Sequence, residues 1–161
     1  MKIDISAKLY SLHGQPVPKS SPTKEEIRAL DKYPKVKNQF GQDVEDISYL
    51  PDETIGNFLV SCLAIYKSDD LKDWVMVTLV AGKIIDCKTK ELELQDKYVK
   101  FLCNVLAEVT QRTVIEKVKV PGKKPGDKEV EQENKVTKQG FSPWATTRVR
   151  IILGEKLTEK L

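Results

Sequence analysis

Residues 52–109 read DETIGNFLVSCLAIYKSDDLKDWVMVTLVAGKIIDCKTKELELQDKYVKFLCNVLAEV, and this stretch decides the fold. Ile55, Phe58, Leu59, Cys62, Leu63 and Tyr66 fall at i, i+3, i+4, i+7, i+8 and i+11, a helical stripe wide enough to face a core. Asp52 and Glu53 stand in its expected first turn, where carboxylates favour the helix dipole. Ser68 is placed to cap a second helix that begins with Asp69 and Asp70. Leu71, Trp74, Val77, Thr78, Ala81, Ile84 and Ile85 share one side of that helix. Val75, Met76, Leu79 and Val80 occupy the other, so it is apolar nearly all round. Such a helix is central in its domain, or half of it is covered by a partner. Its uncharged run, Trp74 to Gly82, is nine residues, and a membrane span needs roughly 20.

Lys88 to Lys90 form a polar turn, and Glu91-Leu92-Glu93-Leu94 alternates as a short strand does. Asp96 is then expected to cap a third helix, with Val99, Leu102, Cys103, Leu106 and Val109 on one face.

Working outward toward the N-terminus, Ile3, Ile5, Leu9, Tyr10 and Leu12 read as a β segment. His13-Gly14 and Gln15-Pro16-Val17 read as a tight turn and a short return strand. Thr23 and Glu26 have capping-box spacing. Ile27 and Leu30 are expected to face the core from a short helix that ends before Pro34. Residues 34–47 read as polar loop, and Asp46 to Leu50 as a short strand.

Beyond Val109 the pattern changes. Val114, Glu116, Val118 and Val120 alternate with Ile115, Lys117 and Lys119. Pro121 to Asp127 has the composition of a long turn. If paired positions sum to 250, Lys119 faces Glu131 and Lys117 faces Glu133, while Val120 meets Val130 and Val114 meets Val136. A slip by one residue loses both charge pairs and both valine pairs. The spacing therefore predicts a β-ribbon arm over residues 113–137; the alternative is a disordered polar insertion. Ser142-Pro143-Trp144 reads as a helix start, with Trp144, Thr147, Ile151 and Ile152 inward. A strand is the alternative, since Val149, Ile151 and Leu153 alternate with Arg148 and Arg150. The tail from Gly154 is charged and is expected to fray.

The 161 residues read as a single domain, 1–161. It comprises an N-terminal hairpin, short helix and loop (1–50), a helical core (51–109), the arm (110–140) and a C-terminal helix and tail (141–161). The expected class is α+β, with a mainly helical core of three to four helices, an N-terminal β-hairpin and a protruding β-ribbon arm. Hydrophobic content is 40% and the net charge is +3. Residues 1–50 carry eight basic and seven acidic side chains, residues 51–109 seven and ten, and residues 110–161 twelve and seven. The basic excess thus lies at the C-terminal end.

Chemistry-bearing patterns are sparse. Three cysteines, Cys62, Cys87 and Cys103, form no C-x-x-C; Cys62 and Cys103 lie on apolar helix faces and read as buried thiols of a reducing compartment. Met-Lys-Ile-Asp-Ile is followed by no apolar stretch of the kind a signal peptide carries, so cytoplasm is the expected location. His13, the one histidine, sits in a glycine-containing turn. No phosphate-binding G-x-x-x-x-G-K-[ST] or G-x-G-x-x-G occurs. The paired carboxylates Glu25-Glu26, Asp52-Glu53 and Asp69-Asp70 stand at helix starts. No catalytic, metal or cofactor site is expected, and no membrane contact. Lys117, Lys119, Lys123, Lys124 and Lys128 on the arm, with Arg148, Arg150 and Trp144 beyond it, are the candidate interaction residues. They suit a protein partner, either self in a homo-oligomer or foreign, or alternatively nucleic acid. Glu129, Glu131 and Glu133 oppose the nucleic-acid alternative by neutralising the arm.

Several short segments occur in a recognisable order. A Leu9-to-Val17 turn is followed by Thr54-Ile55-Gly56, which opens a helix closing on Leu63-Ala64-Ile65-Tyr66. Then come Ala81-Gly82-Lys83-Ile84-Ile85, Glu91-Leu92-Glu93-Leu94 with a helix behind it, and a Trp144-containing segment ending Ile152-Leu153-Gly154-Glu155. This order resembles small uncharacterised proteins encoded by tailed bacteriophages. The resemblance spans most of residues 9–155, with residues 113–140 as an insertion. It implies a viral protein acting in a bacterial cytoplasm or built into a particle, and no catalytic residues. The expected function is a non-enzymatic protein–protein interaction protein, either a virion or assembly component or an inhibitor of a host protein. The alternative is a nucleic-acid-binding module using the arm tip and the C-terminal arginines.

Overall fold

The computed structural model describes residues 1–154; the tail expected to fray lies beyond them from Glu155. The fold is α+β, and its core is helical. Helix α2 (Ile55–Ile65) starts where Thr54 accepts a hydrogen bond from the Asn57 amide at 3.2 Å. Ile55, Phe58, Leu59, Cys62 and Leu63 are buried as the stripe requires. Gly56 has a specific reason to lack a side chain: a Cβ there would stand 3.0 Å from the Ile5 carbonyl oxygen. That close approach lets the Gly56 amide donate to Ile5 at 2.9 Å and fastens the N-terminal segment across the start of the helix.

Helix α3 (Leu71–Ile85) is capped by Asp70 rather than Ser68. Ser68 instead braces the connection. Its hydroxyl donates to Asp73 at 2.6 Å, and Tyr66 donates to the same carboxylate at 3.2 Å. Helix α4 (Asp96–Glu108) has Gln95, not Asp96, at the cap position. It buries Tyr98, Phe101, Leu102, Val105 and Leu106, a wider face than expected, while Val99 and Cys103 are only partly covered.

Strand β1 (Lys2–Asp4) pairs antiparallel with β4 (Glu91–Glu93), Ile3 opposite Leu92, and both side chains enter the core. The N-terminal chain does turn back at Gly14 (φ +73°), with the Ser11 amide on Gln15 at 2.8 Å and the Val17 amide on Leu9 at 2.9 Å. Its rungs are isolated bridges, Tyr10 to Pro16 and Pro18 to Asp52. Prolines at 16 and 18 have no N–H to give, so a continuous ladder cannot form.

Three local expectations are corrected downstream. The capping box of Thr23 and Glu26 is present on α1 (Lys24–Arg28), but this helix tightens to a 3₁₀ turn over Ala29–Lys32. Leu30 is buried, while Ile27 is left 45% exposed. Residues 34–47 contain a small hairpin, β2 (Val36–Lys37) with β3 (Asp43–Val44), turned at Gly41. The segment expected as a strand at 46–50 holds a 3₁₀ turn over Ile47–Tyr49, because the Asp46 carboxylate accepts from both the amide and the hydroxyl of Ser48.

The arm is a two-stranded ribbon of β5 (Arg112–Val120) and β6 (Val130–Lys138). Its register is the one the charge and valine pairs require: Lys119 opposite Glu131, Lys117 opposite Glu133, Val120 opposite Val130 and Val114 opposite Val136. No ion pair among the described residues closes across it. The backbone ladder and the valine pairs therefore hold the ribbon.

At its base, Gly140 and Phe141 return the chain to α4, with the Phe141 amide donating to Val109 at 2.8 Å and the Gln111 amide to Phe141 at 2.9 Å. Helix α5 (Pro143–Ile152) follows, with Ser142 at the cap position and proline first. The helical alternative for 143–153 is the correct one, but its phase differs from expectation. Thr146, Val149 and Leu153 are buried, whereas Trp144, Ile151 and Ile152 are exposed.

The buried carboxylate of Glu53 is another correction. It precedes α2 rather than lying in its first turn, and it is fully enclosed. It accepts from the Ser20 amide at 2.7 Å and from the Thr54 amide at 3.2 Å. Burial pushes the Cys62 thiol far up, and the Glu53 carboxylate adds to the effect. Cys62 is therefore held as a thiol at neutral pH. Iodoacetamide should label it only after denaturation, read as a mass shift on its tryptic peptide. Labelling of Cys62 in the native state at a rate matching a free thiol would contradict this assignment.

Candidate interaction surface

The outer face of α3 is the largest run of uncovered apolar side chains on any one helix. Its inner face is set by Val80 and Ile84, which are buried, with Val77 beside them. The helical period then carries Leu71, Trp74, Val75, Thr78, Leu79, Gly82 and Ile85 to the opposite side. Leu71 is 76% exposed, Val75 51% and Ile85 66%. The two apolar sides of the sequence pattern do not coincide with the buried and exposed faces: Val80 and Ile84, one from each side, are in the core, and Leu71, Trp74 and Ile85 are out. Trp74 is held in place, since its indole N–H donates to the Ser68 carbonyl at 2.8 Å. A fixed indole lying among aliphatic side chains is pre-organised for contact, with few rotamers left to lose on binding. At the Ile85 end the stripe reaches a shallow groove of about 400 Å³, lined by Ile5, Gly56, Asn57, Val60 and Ile84.

The second surface is the ribbon. Its odd-numbered face carries Lys117 and Lys119 opposite Glu133 and Glu131, and its even-numbered face carries Val114, Val118, Val120, Val130 and Val136. Val118, Val130 and Val136 are exposed among the described residues. Lys123, Lys124 and Lys128 gather at the tip. There the Lys124 amide donates to the Asp127 carboxylate at 3.0 Å, and Gly126 takes φ +90°. Arg148 and Arg150 sit on α5 at the other end. Nine-residue strands span about 30 Å, so the tip lysines and these arginines do not form one site. Trp144 points its indole N–H at the Tyr10 carbonyl, 3.3 Å away, and ties α5 to the N-terminal turn.

His13 lies exposed in its turn, and Cys62, Cys87 and Cys103 are joined in no disulfide among the described residues. Among the described residues no group of three or more His, Cys, Asp or Glu side chains is placed to hold a metal ion. No helix among them is long and apolar enough to cross a membrane.

These features define a class: an α+β domain with a helical core, one helix bare on its outer side and a two-stranded arm. No protein-family model, no curated protein and no solved structure matches the chain.

Proposed function

We propose that this chain is a non-enzymatic protein–protein interaction protein encoded by a tailed bacteriophage. It would serve as a virion or assembly component, or as an inhibitor of a host protein. The observation that carries the reading is the outer face of α3, where Leu71, Trp74, Val75, Leu79 and Ile85 stand uncovered on a helix whose other side is built into the core. Moving a Leu, Ile or Val side chain out of water stabilises by roughly 1.5–3 kcal/mol. A contiguous stripe of such residues is therefore a standing drive toward a partner. The bacteriophage origin rests on the sequence resemblance alone.

The test is the triple substitution L71K/V75K/I85K. None of these side chains belongs to the buried core, so thermal stability should stay within a few degrees of the parent. Specific capture of a bacterial or virion protein should be lost. Unchanged capture in the variant would count against the stripe.

The tip lysines favour a second reading, nucleic-acid binding, because Lys123, Lys124 and Lys128 are exposed together on one turn. That reading requires salt-sensitive retardation of DNA or RNA that K123E/K124E weakens.

A further inference from the structure

We propose that β6 is a homotypic docking edge. Two copies of this chain would pair β6 against β6, antiparallel about a two-fold axis at Asn134, and join their ribbons into one four-stranded sheet. The proposal rests on the interaction reading above and names the partner as a second copy.

The ribbon itself supplies the first part of the case. A lone two-stranded hairpin is marginally stable in water, yet here one extends from the domain with no third strand among the described residues. Each outer edge presents a row of unpaired N–H and C=O groups, a template for another strand. Proteins that avoid such pairing shorten the edge, bulge it, insert proline or charge it. Strand β6 is neither short, bulged nor proline-bearing, and its charges, Glu131, Glu133, Lys135 and Lys138, are of both signs and can therefore pair as well as repel. Its register runs unbroken from Lys138 to Val130, and all nine of its residues are exposed.

Charge and the length of strand overlapped together decide which edge pairs, and in which register. A two-fold axis normal to the sheet keeps each side chain on its own face, so paired residue numbers must sum to an even value. With a sum of 268, Glu133 of each copy meets Lys135 of the other. Asn134 meets Asn134, Gln132 meets Val136, Glu131 meets Thr137 and Val130 meets Lys138. Two opposite-charge pairs form and no like charges are opposed. Moving the axis one residue toward the tip sets Glu133 against Glu133, which opposes the two Glu131–Lys135 pairs gained there. Moving it one residue toward the base sets Lys135 against Lys135. On β5, axes at Glu116, Lys117 and Val118 each oppose like charges, and an axis at Ile115 gains no ion pair. An axis at Val114 does set Arg112 against Glu116 in both directions, but it pairs only residues 112–116 of that strand, and Arg112 already meets Glu108 of α4 at 3.2 Å. The axis at Asn134 pairs β6 along its whole length.

The experiment uses the full chain with Cys87 and Cys103 replaced by serine. Directly opposed residues of an antiparallel pair lie about 4.5–5.5 Å apart at Cα, within the roughly 4.4–6.8 Å that a disulfide spans. Under mild oxidation N134C should therefore give a covalent dimer. Q132C should not, because its two copies would stand about 13 Å apart along the strand. By sedimentation, K135E should raise the dimer dissociation constant about fivefold or more. The exchange E133K/K135E should recover affinity, since both interchain pairs re-form with their signs reversed.

The proposal is overturned if the chain is monomeric and N134C cross-links no faster than Q132C. It is equally overturned if a dimer forms that K135E leaves untouched. In the second case, loss of the dimer in L71K/V75K/I85K would move the contact to α3 and leave the interaction reading standing. In the first, that reading is decided separately by capture of a foreign partner.

Discussion

Replacing Glu53 with alanine is expected to destabilise the protein by about 3 kcal/mol. The carboxylate is completely enclosed and serves two backbone amides, Ser20 at 2.7 Å and Thr54 at 3.2 Å. Hydrogen bonds to a charged group contribute about 1.5–3 kcal/mol, and a buried donor left without an acceptor carries its own penalty. The Glu53 backbone is equally committed, its amide on Val17 at 2.7 Å and its carbonyl accepting from Leu9 at 2.9 Å. This one residue thus laces residues 9, 17 and 20 to the start of α2. E53Q keeps an oxygen for Ser20 and should cost about 1 kcal/mol. Urea denaturation at neutral pH reads both values. For a chain of this length, 3 kcal/mol corresponds to a fall in Tm of about 6–12 °C. A loss under about 0.5 kcal/mol in E53A would mean the residue behaves as an ordinary surface carboxylate.

The second large effect is expected from G140A, at about 2 kcal/mol. A Cβ on Gly140 would collide with the Val109 carbonyl oxygen and come within 2.8 Å of the Gln111 amide nitrogen. Those groups make the two hydrogen bonds that seat the ribbon on α4. Phe141, next in the chain, packs edge-on against Phe58 at 5.1 Å between ring centroids and would be drawn off it. The obstacle is backbone, which has no rotamer to yield. A matching loss of stability, with Phe141 resonances moving in an NMR spectrum, would support this seating of the arm. A neutral G140A would show that the junction is looser than the geometry indicates.

How far the sequence reveals these features depends on whether a pattern carries a phase. In helix α2 the buried Ile55, Phe58, Leu59, Cys62 and Leu63 follow the stripe read from their spacing, and the small Gly56 and Ser61 are buried beside them. Helix α3 is apolar all round, and periodicity then establishes a helix without saying which side is inside. Val80 and Ile84, from opposite sides of the sequence pattern, are both buried, while Leu71 is exposed. Helix α5 hides its phase differently. Its buried Thr146 is fixed by polar contacts, its hydroxyl accepting from Thr110 at 2.8 Å, and hydrophobic spacing does not register this. The ribbon register is legible because two lysine–glutamate pairs and two valine pairs agree on one alignment. The β1–β4 pairing joins segments about ninety residues apart, which leaves no local trace. Glu53 looks like a solvated helix-start carboxylate until the Ser20 amide is found against it. The outer face of α3 is foreshadowed by the charge-free Trp74–Gly82 run, although only the core contacts of Val80 and Ile84 show which half is bare.

The most direct test of the interaction reading is the solution mass of the full chain and of a chain with residues 113–137 replaced by a short glycine-serine link. No residue of that segment belongs to the hydrophobic core, so the shortened protein should remain folded. The account predicts an intact chain that associates as concentration rises through the micromolar range and a shortened chain that stays monomeric with an unchanged helical circular dichroism spectrum. An intact chain that remains monomeric, and whose α3 stripe variant captures the same proteins as the parent, would contradict it.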